Sequence, residues 1–273
     1  MRQASKPAGP AGVVPVLMYH DVSSRRGVGP LQPYVVHPAE FDEHLAAMAD
    51  AGYRTAAATS LARIASPSES TVYLTFDDAY QSFHTTVLPA LAVYGMRATV
   101  FAPSAFIGES AQWMRDSPDG DRRLMGWSEL QEVVAAGSEV GSHGHRHLPL
   151  DLVSAATVRK EVYQSRQVLS DGLGRDVTSF AYPHGHNTAA VRRAARQAGY
   201  EVACAIFGDL QPLGGDLFAV RRVPVGPGLT GVELLALLRR RRSAVDLGLR
   251  ALARPGWRAV RRVGARTRGM REA

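Results

Sequence analysis

With 273 residues, 45% of them hydrophobic and 21% charged, the chain has the composition of an ordinary globular protein large enough for one well-filled domain, which excludes the disordered and fibrous classes. Its single cysteine, Cys204, rules out an intramolecular disulfide and any multi-cysteine metal site and reads as a small apolar core residue. The net charge of +7 sits in the C-terminal stretch. Residues 239 to 273 hold twelve arginines against Asp246 and Glu272, and residues 1 to 238 hold 20 basic and 23 acidic side chains, so the basicity gives no ground for a nucleic-acid-binding body.

Met1 to Gly12 carries no apolar run of the signal-peptide kind. No stretch of about 18 apolar residues occurs elsewhere, and a cytoplasmic location is the expectation. Val13 to Tyr19 is the first strand candidate. Phe41, Leu45 and Met48 then recur at the spacing of one helix face, and that helix stops at Gly52 before Tyr53-Arg54-Thr55. The same punctuation returns at Gly95 before Arg97 to Phe101, at Gly137 before Glu139-Val140-Gly141, and at Gly199 before Glu201-Val202-Ala203, because a glycine tolerates the left-handed turn that closes a helix. Between these lie strand candidates at Thr71 to Phe76 and Thr178 to Tyr182, and a helix with Val158, Val162 and Leu169 on one face. A last strand candidate is Val220 to Val225. Several strands are apolar without alternation, as strands covered on both faces are. The expectation is an α/β fold of about seven or eight βα units, with its chemistry at the carboxyl ends of the strands.

Two segments at strand ends carry chemistry. Asp77 and Asp78 follow Val72 to Phe76; read alone, the pair is either a helix N-cap or one metal ligand beside a second acid that faces a water. Three histidines fall within five residues at His143-Gly144-His145-Arg146-His147. His143 and His147, four apart, are able to converge on one ion, with His145 turned elsewhere. A polar surface loop is the plain alternative.

Thr75-Phe76-Asp77-Asp78, His143 to His147 and Phe180-Ala181-Tyr182-Pro183-His184-Gly185 resemble, in order, the first three motifs of the polysaccharide deacetylase family (NodB homology, carbohydrate esterase family 4), over roughly residues 13 to 226. The resemblance implies a distorted (β/α) barrel and a divalent metal on Asp78, His143 and His147; zinc suits these ligands, as do cobalt, nickel or iron. It further implies Asp77 as the base, the backbone N–H of His184 as an oxyanion donor, and hydrolysis of acetyl groups on amino sugars. Two features depart from the pattern. Ala181 stands where the third motif carries an arginine that steadies the catalytic aspartate, which leaves Arg221 or Arg222 to replace it. No histidine follows His186, so the acid that protonates the departing amine must come from elsewhere. Val16-Leu17-Met18-Tyr19-His20 is similar to the opening segment of the poly-N-acetylglucosamine deacetylase branch, which implies His20 in that role.

The catalytic domain is expected over 13–228 and an Arg-rich helical tail over 229–273, the tail being a solvated appendage, a partner-binding helix or a helix on an anionic membrane surface. The expected partner is an N-acetylated carbohydrate and not a nucleic acid. An acetyl esterase, a small-glycoside deacetylase and an inactive carbohydrate-binding homologue are the competing readings. His37, His44 and His84 are read as structural; Tyr182, Trp113 and Trp127 are read as packing, with a sugar-stacking surface as the alternative; and neither Asp21 nor His186 is given a role.

Overall fold

Each of the four helix-stopping glycines adopts the left-handed backbone expected of it, with φ of 74° at Gly52, 61° at Gly95, 83° at Gly137 and 93° at Gly199. The computed structural model describes residues 12–63 and 70–239; the expectations for Met1 to Ala11 and for the tail beyond Arg239 lie outside the described residues. In chain order come β1 (Val13–Val14), β2 (Val16–Tyr19), β3 (Asp21–Val22), β4 (Val35–Val36), α1 (Pro38–Asp50), β5 (Arg54–Thr55) and β6 (Thr71–Phe76). There follow α2 (Leu88–Val93), β7 (Thr99–Ala102), α3 (Trp127–Ala135), β8 (Glu139–Ser142), α4 (Ala155–Leu173), β9 (Ser179–Ala181), α5 (Ala189–Gln197), β10 (Val202–Cys204), β11 (Gln211–Pro212), β12 (Val223–Pro224) and α6 (Gly231–Leu238). Pro15, with no N–H to give a ladder, divides the first strand candidate in two. None of the described helices is long and apolar enough to cross a membrane.

The main sheet is parallel in the order β10-β9-β8-β7-β6-β2-β12, with β5 also joined to β6. One short segment draws its two ends together. Val220 pairs in parallel with Cys204 of β10, and three residues later Val223 and Pro224 pair with Leu17 and Met18 of β2. The bonds are Val220 N–H to the Ala203 carbonyl at 3.0 Å and Val225 N–H to the Met18 carbonyl at 2.8 Å. The result is the distorted barrel expected from the sequence.

Strand side chains alternate between the two faces, and the packing separates accordingly. Val16, Tyr73, Phe101, Ala181, Cys204 and Val220 form one buried cluster, while Leu17, Leu74, Val100, Phe180 and Ala203 pack with the helices in another. Carried one step past the strand ends, the register of the first set continues as His20 after Val16 and Met18, Asp77 after Tyr73 and Thr75, His143 after Gly141, and Arg222 after Val220. The twofold period of the strands thus aims these four side chains at the mouth of the barrel.

Beyond Gly226 the described chain is helical, as expected from residue 229 on. Thr230 caps α6 and forms a capping box with Glu233. The helix buries Leu234 and Leu238 and lies on α1, where the Gly231 N–H donates to Glu43 Oε1 at 2.7 Å. The apolar face of this helix thus finds its partner in α1.

Candidate metal centre and catalytic site

Four non-glycine residues among those described hold a left-handed backbone: Asp78 (φ 74°), Ala79 (φ 55°), His147 (φ 58°) and His184 (φ 60°). Three of them lie in the three motif segments, and Ala79 directly follows the first. Such conformations cost roughly 1–3 kcal/mol each and persist where surrounding structure enforces them. Here they turn the chain sharply at the strand ends, so that neighbours in sequence point in different directions.

The turn after β6 separates the two aspartates. Asp78 Oδ1 lies 3.4 Å from His143 Nε2 and 3.1 Å from His147 Nε2, and one ligand atom from each of the three buried residues falls within 4.8 Å of the others. An N-cap pair has no need of this arrangement. The donors suit a divalent ion: the Nδ1–H of His143 donates to the Ala181 carbonyl at 2.8 Å, which fixes the tautomer and leaves Nε2 free to ligate. Burial and the surrounding charges act in opposite directions on Asp78. Burial pushes its carboxyl up, yet the imidazoles of His147 and His143 hold it well below the usual carboxylate range.

Asp77 faces the interior instead. Arg222 grips it with both arms, NH1 to Oδ1 at 2.6 Å and NH2 to Oδ2 at 2.7 Å; NH1 also donates to Thr75 Oγ1 at 3.2 Å and Nε to the Ala205 carbonyl at 3.1 Å. Both side chains are buried. Desolvation favours the neutral acid, but the guanidinium outweighs it and Asp77 stays below the ordinary aspartate value. Of the two arginines considered in place of Ala181, the structure thus brings Arg222 to Asp77. Arg221 points away, its guanidinium 5.4 Å from the centre of the Phe207 ring and 3.6 Å from Asp209.

His20, at the end of β2, is half-buried beneath Tyr34, with ring centres 4.4 Å apart. Its buried Nδ1 has no hydrogen-bond partner. Burial lowers its pKa, and the nearby Asp77 and Asp78 carboxylates pull the other way. His184 follows β9 with its ring exposed and 4.8 Å from that of His147. Its neighbour Gly185 (φ 70°) has to be glycine, since a Cβ there falls 2.3 Å from Ile206 Cγ1. All six residues singled out from the sequence therefore gather at one end of the barrel.

Several supporting residues were not singled out. Glu161 of α4, fully buried, accepts from the N–H groups of His145 (2.9 Å) and Arg146 (2.7 Å) and from Arg146 Nε (3.1 Å), so one carboxylate pins the loop between the two histidine ligands. His145 turns away, as expected, with its Nδ1 2.8 Å from Ser104 Oγ. Asp21 takes a structural role: it pairs with buried Arg122, whose Nε donates to Asp119 at 2.9 Å. Trp113 stacks on the His147 ring. The histidines read as structural behave so: His44, for one, bridges Tyr19 and the Leu229 carbonyl from within the core.

Burial pushes the His143 imidazole down to about 4, which fixes a pH dependence. An unfolded histidine takes its proton near 6.5, so below that pH the unfolded chain binds more protons than the native one and the native state loses ground. Chelator-treated protein should lose about 3 kcal/mol of stability as pH falls from about 6.5 to 4, and none further from this group below that. Urea titrations across the range measure it, and a His143→Gln variant should show a correspondingly flatter profile.

The sequence pattern of the family described as Polysaccharide deacetylase matches residues 65–203. YxkH of Bacillus subtilis (strain 168), named for the same family, is 28% identical over 222 residues, which are 80% of this chain and 73% of YxkH. Among solved structures, the Streptococcus pyogenes deacetylase PplD in complex with acetate superposes with a TM-score of 0.72 at 22% identity, covering 84% of this chain and 99% of PplD. IcaB from Ammonifex degensii gives 0.69 at 23% identity, covering 85% and 99%; at these identities the two structures establish the likeness of fold. With a family match over half its length, the chain belongs to the polysaccharide deacetylases, hydrolases acting on acetylated carbohydrate.

Proposed function

We propose that the protein is a metal-dependent N-deacetylase of amino sugars in a polysaccharide or glycoconjugate. The observation that carries this reading is the division of labour between adjacent aspartates: Asp78 turned onto two imidazoles, Asp77 held apart in the grip of Arg222. Asp78, His143 and His147 would hold a divalent cation, which would supply Lewis acidity toward the acetyl carbonyl and the attacking water. Asp77, kept ionised by Arg222, accepts the proton of that water as it attacks. The N–H of His184 meets charge developing on the carbonyl oxygen. His20, once protonated, gives a proton to the departing nitrogen, without which an amide anion would have to leave.

The test is acetate release from N-acetylglucosamine oligomers by the zinc-loaded protein, with acetylated xylan as the ester comparison. Release from the oligomers that falls by 10²–10⁴-fold in Asp77→Asn supports the reading. Release from xylan alone makes the protein an esterase, and undiminished release by Asp77→Asn removes Asp77 from its role.

A further inference from the structure

We propose that Trp113 positions the metal ligand His147 by ring stacking, in place of the hydrogen bond that holds His143, and so sets the affinity of the site for its metal. The inference rests on the metal centre of the preceding section. Metal-bound histidines ordinarily donate their second ring N–H to a carbonyl or carboxylate, which fixes the plane of the ring. His143 follows that rule through the Ala181 carbonyl. His147 does not: its Nε2 faces Asp78 at 3.1 Å, and its Nδ1, although buried, has no hydrogen-bond partner.

Rings hold it instead. The indole of Trp113 lies nearly parallel to the imidazole, centres 4.5 Å apart and planes 23° from each other. The edges are bounded by His143 at 4.9 Å and His184 at 4.8 Å, both steeply inclined. His147 also sits at φ 58°, a backbone conformation that reverts unless the side chain is confined.

Trp113 is itself anchored. Phe106 packs against it with ring centres 5.4 Å apart. Its loop is tied down by the buried Arg122, which bonds Asp119, Asp21 and the carbonyls of Arg25 and Arg26, the last two at 2.9 Å. Asp119 in turn accepts the Val28 N–H at 2.6 Å. The indole therefore rests on a fixed platform, able to impose an orientation rather than follow one. A stacking face restrains the tilt of the imidazole, and tilt decides whether the Nε2 lone pair meets an ion shared with Asp78 and His143.

Zinc titration of chelator-treated full-length protein by calorimetry tests this in wild type, Trp113→Phe and Trp113→Leu. Loss of an orienting partner weakens metal binding by about 10–100-fold; Trp113→Leu should show that loss and Trp113→Phe, which keeps a flat ring, should stay within a few-fold of wild type. Trp113→Met, of similar reach without a ring, should match the leucine variant and replaces it if that variant does not fold. Cobalt should quench tryptophan fluorescence in wild type, and much less in Trp113→Phe at equal occupancy. Wild-type affinity in Trp113→Leu or Trp113→Met overturns the inference alone. No zinc binding by wild type, or binding untouched by Asp78→Asn, removes the metal centre and the inference with it.

Discussion

Replacing Arg222 with methionine is expected to destabilise the protein by about 3–5 kcal/mol, because it strands the Asp77 carboxylate in the barrel interior. The side chain is among the largest that are fully buried in the described structure, and it serves Asp77, Thr75 and Ala205 together. Removing the charge from one partner costs far more than removing it from both. The double variant Arg222→Met/Asp77→Asn should therefore recover a large part of the lost stability in urea unfolding at neutral pH while remaining inactive. A single variant as stable as wild type would show that the pair contributes little, and that Asp77 is held by something other than this guanidinium.

The second large effect separates two substrates. His20→Gln should lower acetate release from N-acetylated oligosaccharide by about 10²–10⁴-fold and leave hydrolysis of an aryl acetate within a few-fold, with metal content unchanged. A phenolate leaves without help, whereas an amine leaves only with a proton. The imidazole of His20, half-buried at the end of β2 and within the field of Asp77 and Asp78, is the group placed to supply it. Equal losses on both substrates would make His20 a structural or substrate-positioning residue instead.

How much of this site could be read from the sequence depended on whether a residue sits within a short periodic segment. Asp77, Asp78, His143 and His147 were legible because each follows a strand of recognisable composition. Arg222 was legible only as one of a pair; what distinguishes it from Arg221 is the twofold register that runs inward from Val220, and a strand broken by Pro224 shows that register poorly. Glu161 has a signal of a different kind. It falls on the same helix stripe as Val158, Val162 and Leu169, and a charge on an otherwise apolar stripe signals a buried partner. Trp113 left none, since its loop has no period and its contact lies 34 positions along the sequence at His147. Pro227-Gly228 reads as a break in the chain, and just after it Thr230 and Glu233 form the start signal of the helix that packs on α1.

The segment that sews the first and last strands of the barrel together also carries the cation on which Asp77 depends, and this sets an order of events during synthesis. A nascent chain that has emerged only as far as Ala219 already contains both metal-binding histidines and both aspartates, but its interior acid is uncompensated and the wall beside β2 is open. Assembly of a working centre therefore waits on a late piece of polypeptide. Release of chains truncated just before and just after residues 220–225 should give an abrupt rather than gradual gain in protease resistance.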